Sequence, residues 1–121
     1  MSKKILVIDD SAVFRKVLNL NLKSAGYQVT EAIDGQDGFN KLLEGDFNLV
    51  ICDVNMPVMD GLTFVAKVRE HDNVRFIPII MLTTESQEEK KRTGLEAGAK
   101  AWLVKPFAPE QLLNAISKLI T

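Results

Sequence analysis

The chain has 121 residues, of which 46% are hydrophobic and 26% charged, so it holds enough apolar material for one domain with a buried core. Its 15 basic and 16 acidic residues leave a formal net charge of −1, which favours neither a nucleic acid nor a membrane surface as a partner. The apolar runs are about five residues long, far short of the roughly 20 that span a bilayer, and no secretory signal is visible. We therefore expect a single cytoplasmic domain over residues 1–121.

Short apolar runs alternate with amphipathic segments five times along the chain. The runs predict β-strands over residues 4–8, 27–32, 49–52, 78–82 and 101–104. Four of them are nearly continuous in Ile, Val and Leu, as in parallel strands buried on both faces, whereas 27–32 is mixed and suits the edge of a sheet. The alternation predicts an α/β fold with a doubly wound, parallel, five-stranded sheet.

The segments between the runs have apolar residues at helical spacing. In the first segment these residues are Phe14, Val17, Leu18, Leu22 and Ala25, with Asp10 or Ser11 as the cap and Gly26 as the stop. Further helices are predicted after the Asp34–Gly35 turn, around Val65, and from Pro109 onward. The segment 85–97 is also predicted to be helical, but it is mostly polar. It is either a solvated helix or a face that shifts and meets a partner.

Polar side chains follow the apolar runs at the points where the predicted strands end. Asp9 and Asp10 follow the first run and Asp53 the third, while Thr83 and Lys105 follow the fourth and fifth. If the sheet places its first strand between the second and the third, all these side chains converge at one edge. In open α/β sheets this carboxyl edge is where ligands bind.

Three converging carboxylates repel one another, which either raises their pKa values or requires a positive counter-charge. A hard divalent cation supplies that charge through oxygen ligands, and Mg²⁺ needs only one or two carboxylates together with water. A lone acid at a strand end is usually a helix cap, and Asp10 could serve as one. Three acids together with a lysine and a hydroxyl favour a magnesium site.

Other kinds of site fit the sequence poorly. There is no glycine-rich phosphate loop, and the stretch that begins at Asp53 has Pro57 where a calcium loop needs an oxygen ligand. The single histidine, His71, lies in a polar segment and is expected at the surface, which removes Ser–His and Cys–His catalysis. The single cysteine, Cys52, is expected to be buried and inert.

Five short motifs give the chain a resemblance to response-regulator receiver domains along nearly its whole length. They are Ile8-Asp9-Asp10-Ser11, Asp53-Val54-Asn55-Met56-Pro57-Val58-Met59-Asp60-Gly61, Met81-Leu82-Thr83, Gly98-Ala99-Lys100-Ala101-Trp102 and Val104-Lys105-Pro106-Phe107. Their order and spacing make the resemblance specific. It implies a flavodoxin-like (βα)5 fold with strand order 2-1-3-4-5.

The resemblance also implies a role for each matching residue. Asp53 would be the phosphoacceptor, and Lys105 and Thr83 would bind the phosphoryl oxygens. Mg²⁺, for which Mn²⁺ could substitute, would be held by Asp10, Asp53 and the backbone carbonyl of Asn55, with Asp9 acting largely through water. Thr83 and Trp102 would form the switch, with Trp standing where Tyr or Phe is commoner.

The partners follow from the same resemblance. A histidine kinase would supply the phosphoryl group, and a phosphatase is a further possible partner. Because the sequence shows no output domain, we expect the protein to act by binding a flagellar-motor switch protein, as chemotaxis-type regulators do. A phosphorelay shuttle or phosphate sink, exchanging phosphate with a histidine phosphotransfer protein, is the alternative. A haloacid-dehalogenase-like phosphatase is excluded, because that family needs a second Asp two residues after its nucleophile and here Ser11 and Asn55 stand there.

Overall fold

A parallel sheet with helices on both faces organises the chain. In a computed structural model, residues 3–83, 98–105 and 107–120 are described. The strands are β1 (Lys4–Ile8), β2 (Gln28–Ala32), β3 (Leu49–Asp53), β4 (Ile79–Thr83) and β5 (Ala101–Val104). The helices of the described residues are α1 (Ala12–Ser24), α2 (Gly35–Glu44), α3 (Gly61–Glu70) and α4 (Pro109–Leu119). The helix predicted over 85–97 lies outside the described residues.

The strand order confirms the predicted fold. The strands pair in parallel in the order β2-β1-β3-β4-β5, so the mixed strand β2 is at an edge, as its composition predicts. Ile8 of β1 is level with Cys52 of β3, and Asp53 is level with Leu82 of β4. The chain reverses its direction of winding between β1 and β3, which opens a crevice at the carboxyl ends of these strands.

Among the described residues, each face of the sheet is covered by one pair of helices. Helices α1 and α4 pack on one face, where Leu18, Leu22, Leu112 and Ile116 meet the side chains of Val7, Ile51 and Leu82. Helices α2 and α3 pack on the other face, where Leu42, Phe64 and Val68 meet Leu6, Cys52 and Met81. The two layers bury the sheet on both sides and leave its carboxyl edge as the place where polar side chains gather.

Short polar side chains cap the N-termini of the helices that follow this edge of the sheet. Ser11 Oγ accepts a hydrogen bond from the Phe14 N–H at 3.2 Å, so Ser11 rather than Asp10 is the cap of α1. Asp34 caps α2 and Asp60 caps α3 in the same way, each at 2.8 Å. The carboxyl group of Asp10 is therefore not used as the cap of the helix that it precedes.

The structure corrects some details of the prediction. Both β3 and β4 extend one residue further than predicted, so Asp53 and Thr83 are the last residues of their strands. On α1, Val17 is 48% exposed, although its spacing suggested a buried position. His71 is half-buried rather than at the surface, and its ring makes an edge contact with Phe39. None of the helices in the described part of the chain has both the length and the apolar character needed to cross a membrane.

Candidate functional site

The three acidic side chains singled out in the sequence meet at the carboxyl edge of the sheet. One carboxylate oxygen from each of Asp9, Asp10 and Asp53 lies within 4.8 Å of the other two. Asp9 and Asp53 are buried, with 1% and 6% of their surface exposed, while Asp10 faces solvent. The cluster is thus buried on the side of Asp9 and Asp53 and open to solvent on the side of Asp10, so a charged ligand could enter it from that side.

Backbone groups hold the two buried carboxylates in place. Asp9 Oδ1 accepts a hydrogen bond from the Ser11 N–H at 2.9 Å, and Asp53 Oδ1 accepts one from the Val54 N–H at 3.0 Å. The Asp9 backbone is also fixed, because Arg15 Nη1 donates to its carbonyl oxygen at 2.6 Å. Arg15 is held in turn by Glu31 of β2, with Nε and Oε1 3.1 Å apart.

A glycine allows α3 to begin close against the end of β3. A Cβ at Gly61 would collide with the Asp53 carbonyl oxygen and would lie 2.9 Å from Val54 Cα. The helix can therefore begin close to Asp53 only because residue 61 has no side chain. In the loop between β3 and α3, Val58 has a φ of 68°, a left-handed conformation that is costly for a β-branched residue.

Lys105 supplies the positive charge beside the acids. Its Nζ lies 2.9 Å from Asp9 Oδ2 and 3.6 Å from Asp53 Oδ1, and its side chain is 13% exposed. The Lys105 backbone is fixed by a hydrogen bond of 2.6 Å from its N–H to the Thr83 carbonyl oxygen. The ammonium group therefore hydrogen-bonds Asp9 and stands close to Asp53 without being bonded to it.

The ionisation of Asp53 reflects this environment. Burial, and then repulsion by Asp9, raise the pKa of Asp53 from 3.8 to about 6. Lys105 and the hydrogen bond from Val54 act in the opposite direction but do not cancel the rise. A carboxyl group with a pKa of about 6 is mostly ionised at neutral pH, and a positive charge that approaches it stabilises the ionised form.

The donor set fits a hard divalent cation. Its ligand atoms are carboxylate oxygens, which are the ligands that Mg²⁺ prefers, and thiolate or imidazole groups are absent from this cluster of described residues. Two of the three carboxylates are buried and hydrogen-bonded, so a cation would meet a preformed site. Asn55, whose carbonyl is the further expected ligand, is exposed in the loop two residues after Asp53.

The two residues expected to form the switch lie on one face of the sheet. Thr83 is 1% exposed at the end of β4, and the alternation of side chains places it on the same face as Met81. Trp102 of β5 is level with Met81 and packs on the layer formed by α2 and α3. Among the described residues, the buried Trp102 Nε1 has no hydrogen-bond partner.

Two residues next to the site were missed by sequence reasoning. Arg15 is not singled out by any sequence pattern, and the spacing of Phe14 predicts only an apolar position on the helix. The Phe14 ring faces Lys105, with the ammonium nitrogen 3.9 Å from the ring centroid. These contacts join different elements of the fold, so periodicity gives no signal for them.

The chain belongs to the response regulator receiver domain family, whose sequence profile matches residues 5–117. Members of this family are phosphoacceptors that take a phosphoryl group from histidine kinases and use Mg²⁺ at an acidic pocket. The prediction of the family from the five motifs is thereby confirmed.

The chain is also similar to individual members of the family over nearly its whole length. The chemotaxis protein CheY4 of Vibrio cholerae is 44% identical over 99% of this chain and 100% of its own, with a TM-score of 0.93. A receiver domain protein from Methanospirillum hungatei is 30% identical over 98% of this chain and 93% of its own, with a TM-score of 0.91. The transcriptional regulatory protein SrrA of Staphylococcus aureus is 33% identical over 99% of this chain. The chain spans 48% of the length of SrrA, about half of that curated relative.

Proposed function

We propose that this chain accepts a phosphoryl group on Asp53 and that the phosphorylated form changes its binding to a partner protein. The observation that carries the proposal is the position of Asp53. Its carboxylate is buried among Asp9, Asp10 and Lys105 at the carboxyl edge of the sheet, with an oxygen 3.6 Å from a lysine ammonium group. Such a carboxylate is a nucleophile, and the Lys105 ammonium group already lies close by as a positive counter-charge for its product.

The chemistry requires one bond to form and one to break. A carboxylate oxygen of Asp53 attacks the phosphorus of a phosphohistidine, the P–N bond breaks, and the imidazole leaves with a proton from solvent. The new O–P bond makes an acyl phosphate. Because the pKa of Asp53 is about 6, roughly nine in ten carboxyl groups are ionised and nucleophilic at pH 7.

The residues around Asp53 stabilise the charge of the transferred group. Mg²⁺ would be held by Asp10, Asp53 and the backbone carbonyl of Asn55, with Asp9 acting largely through water, and would supply positive charge beside the phosphoryl oxygens. Lys105 would turn from Asp9 toward one phosphoryl oxygen, and the Thr83 hydroxyl would donate to another. Attack by water at the same phosphorus would return the free carboxylate. This autodephosphorylation, any help from a phosphatase, and the use of Mn²⁺ in place of Mg²⁺ belong to the same proposal.

Reduction with borohydride identifies the acceptor directly. An acyl phosphate on Asp53 is reduced to homoserine, whereas phosphoserine and phosphohistidine are not. After treatment with a small phosphodonor and Mg²⁺, we expect homoserine at position 53 in the peptide that spans β3. Homoserine at position 9 or 10 instead would refute the assignment.

We propose a flagellar-motor switch protein as the partner, with a histidine kinase as the donor. The support is the similarity over the full length to a protein named for chemotaxis, together with Thr83 and Trp102 on one face of the sheet. Beryllofluoride, which stands in for the phosphoryl group on Asp53, should tighten binding to a peptide of the switch protein. The gain should be lost in Thr83→Ala. Equal binding of the two forms would refute this partner.

A second candidate function, the phosphorelay shuttle or sink, is favoured by a different surface. On α1, the helix that follows Asp10, the apolar side chains of Val13, Val17 and Leu20 are 76%, 48% and 68% exposed. Their spacing of four and three residues puts them along one side of the helix. An apolar stripe beside the acidic site suits the helical surface of a histidine phosphotransfer protein.

A pair of matched variants tests this second candidate. Val17→Glu should slow phosphate exchange with a histidine phosphotransfer protein but leave labelling by a small phosphodonor unchanged. Leu43→Glu is the control, because Leu43 is 41% exposed on α2, on the other face of the sheet. Equal effects of the two substitutions would contradict docking on α1.

The single-domain organisation over residues 1–121 and the cytoplasmic location stay predictions.

A further inference from the structure

The ammonium group of Lys105 has an aromatic neighbour as well as two acidic ones. Besides Asp9 Oδ2 at 2.9 Å and Asp53 Oδ1 at 3.6 Å, it lies 3.9 Å from the centroid of the Phe14 ring. A cation within about 6 Å of a ring face is attracted by the negative face of the ring. The side chain is 13% exposed, so this attraction is only weakly screened by water.

The position of Phe14 on α1 explains how its ring reaches the lysine. Phe14, Leu18 and Leu22 are four residues apart, and the last two are buried anchors of the helix. Phe14 is the end of this stripe nearest the carboxyl edge of the sheet, and its ring makes an edge contact with Phe107 at 6.2 Å. An aliphatic side chain would satisfy the stripe equally well. Only an aromatic ring also presents a negative face to Lys105.

We propose that Phe14 is a positioning residue for Lys105, which it holds beside Asp53 while the lysine changes its hydrogen-bond partner. The inference rests on the proposed function, in which Lys105 turns from Asp9 to a phosphoryl oxygen. During that turn the ammonium group gives up a hydrogen bond of 2.9 Å before it gains another. It keeps its proton throughout, so no atom moves between Lys105 and Phe14.

The ring suits this task because its attraction has little directional preference. A hydrogen bond weakens steeply when its angle changes, whereas an ammonium group can move across a ring face and remain attracted to it. Phe14 thus favours positions of Lys105 near both acids over positions in solvent. Without the ring we expect phosphorylation of Asp53 to be slower by roughly 3- to 20-fold, the range that corresponds to a partly buried cation–π contact.

Fluorinated phenylalanines separate the charge of the ring from its shape. One, two or three fluorine atoms at position 14 weaken the negative face in steps and change the volume little. We expect the rate constant for labelling of Asp53 by a small phosphodonor, at saturating Mg²⁺, to fall with each fluorine. A purely structural role predicts equal rates for the whole series. Equal rates in a protein that labels normally would overturn the inference and leave the proposed function standing.

The chain offers a matched control. Phe39 on α2 lies under Lys67 of α3, with the ammonium nitrogen 5.3 Å from the ring centroid, in the layer on the opposite face of the sheet. The same fluorine series at position 39 should leave the rate unchanged. If the rate constant falls with each added fluorine as steeply at position 39 as at position 14, fluorine has a general effect and the inference is overturned.

A second measurement does not depend on phosphorylation. A methylene group beside the Phe14 ring should show an upfield ring-current shift, so the Lys105 ε-protons should move downfield in Phe14→Leu. The dissociation constant for Mg²⁺ should stay within about twofold of the parent value in this variant. Unshifted ε-protons would overturn the contact itself. If the ε-protons of the parent protein show the ring-current shift but the parent is not phosphorylated in Mg²⁺, the proposed function is refuted, and so is the positioning role of Phe14.

Discussion

Asp53→Asn should stabilise the protein in the absence of metal, and the gain should grow with pH. The substitution keeps the shape of the side chain and removes a charge that the fold holds next to Asp9. The pKa of the Asp53 carboxyl group is 3.8 in the unfolded chain and about 6 in the folded one. The folded state therefore binds the proton more tightly, and stability falls as the pH rises between these values.

The magnitude follows from the two pKa values. Below pH 3.8 the carboxyl group is protonated in both states and costs nothing. Above pH 6 it is ionised in both states, and the cost levels off at about 3 kcal/mol, since one pKa unit corresponds to about 1.4 kcal/mol. At pH 4.5 the cost is about 1 kcal/mol, so the advantage of Asp53→Asn should grow by about 2 kcal/mol between pH 4.5 and pH 8.

Urea unfolding in EDTA at several pH values measures this difference. Asp46→Asn is the control, because Asp46 is exposed in the loop between α2 and β3, outside the acidic cluster, and its replacement should not reproduce the gain of Asp53→Asn. Adding Mg²⁺ at pH 8 should stabilise the parent more than Asp53→Asn, because binding to the folded state alone raises stability. A difference between Asp53→Asn and the parent that stays constant from pH 4.5 to pH 8 would refute the reasoning.

Two further substitutions probe the site and its loop. Asp10→Ala should weaken Mg²⁺ binding by on the order of tenfold or more, measured by calorimetric titration, because it removes a carboxylate from the cluster. Asp34→Ala should leave Mg²⁺ binding within about twofold and should cost about 1 kcal/mol of stability through the lost cap of α2, so equal weakening by both would contradict the site. Val58→Gly should raise the free energy of unfolding in urea by about 1 kcal/mol, because the φ of 68° is costly for valine. A loss of stability in Val58→Gly would show that the loop is not strained there.

Much of the fold was predictable because the local signals agree with one another. The nearly continuous apolar runs, the cap at Asp10 or Ser11, the stop at Gly26 and the Asp34–Gly35 turn all indicate the same alternation of strands and helices. The ends of β3 and β4 were placed one residue early, since Asp53 and Thr83 are polar and an apolar run stops before them. Hydrogen bonding continues the strands regardless of side-chain polarity. The strand order itself came from the resemblance to a family rather than from the pattern.

The acidic cluster was easier to predict than its surroundings. Residues at the carboxyl ends of neighbouring parallel strands meet whatever the details of packing, so the approach of Asp9 to Asp53 follows from topology. The ring of Phe14 over Lys105 depends on side-chain directions and joins residues 91 positions apart. His71 was misplaced for a similar reason, because its polar neighbours in the sequence hide the contact with Phe39.

Labelling with a small phosphodonor such as phosphoramidate tests the central proposal most directly. With Mg²⁺, the parent protein should acquire close to one acid-labile, hydroxylamine-sensitive phosphate per chain, and with EDTA far less. Asp53→Asn should acquire none of this phosphate, while Asp46→Asn should match the parent. If Asp53→Asn is labelled to the same extent as the parent, or if EDTA has no effect on the parent, Asp53 is not a phosphoacceptor assisted by a metal ion.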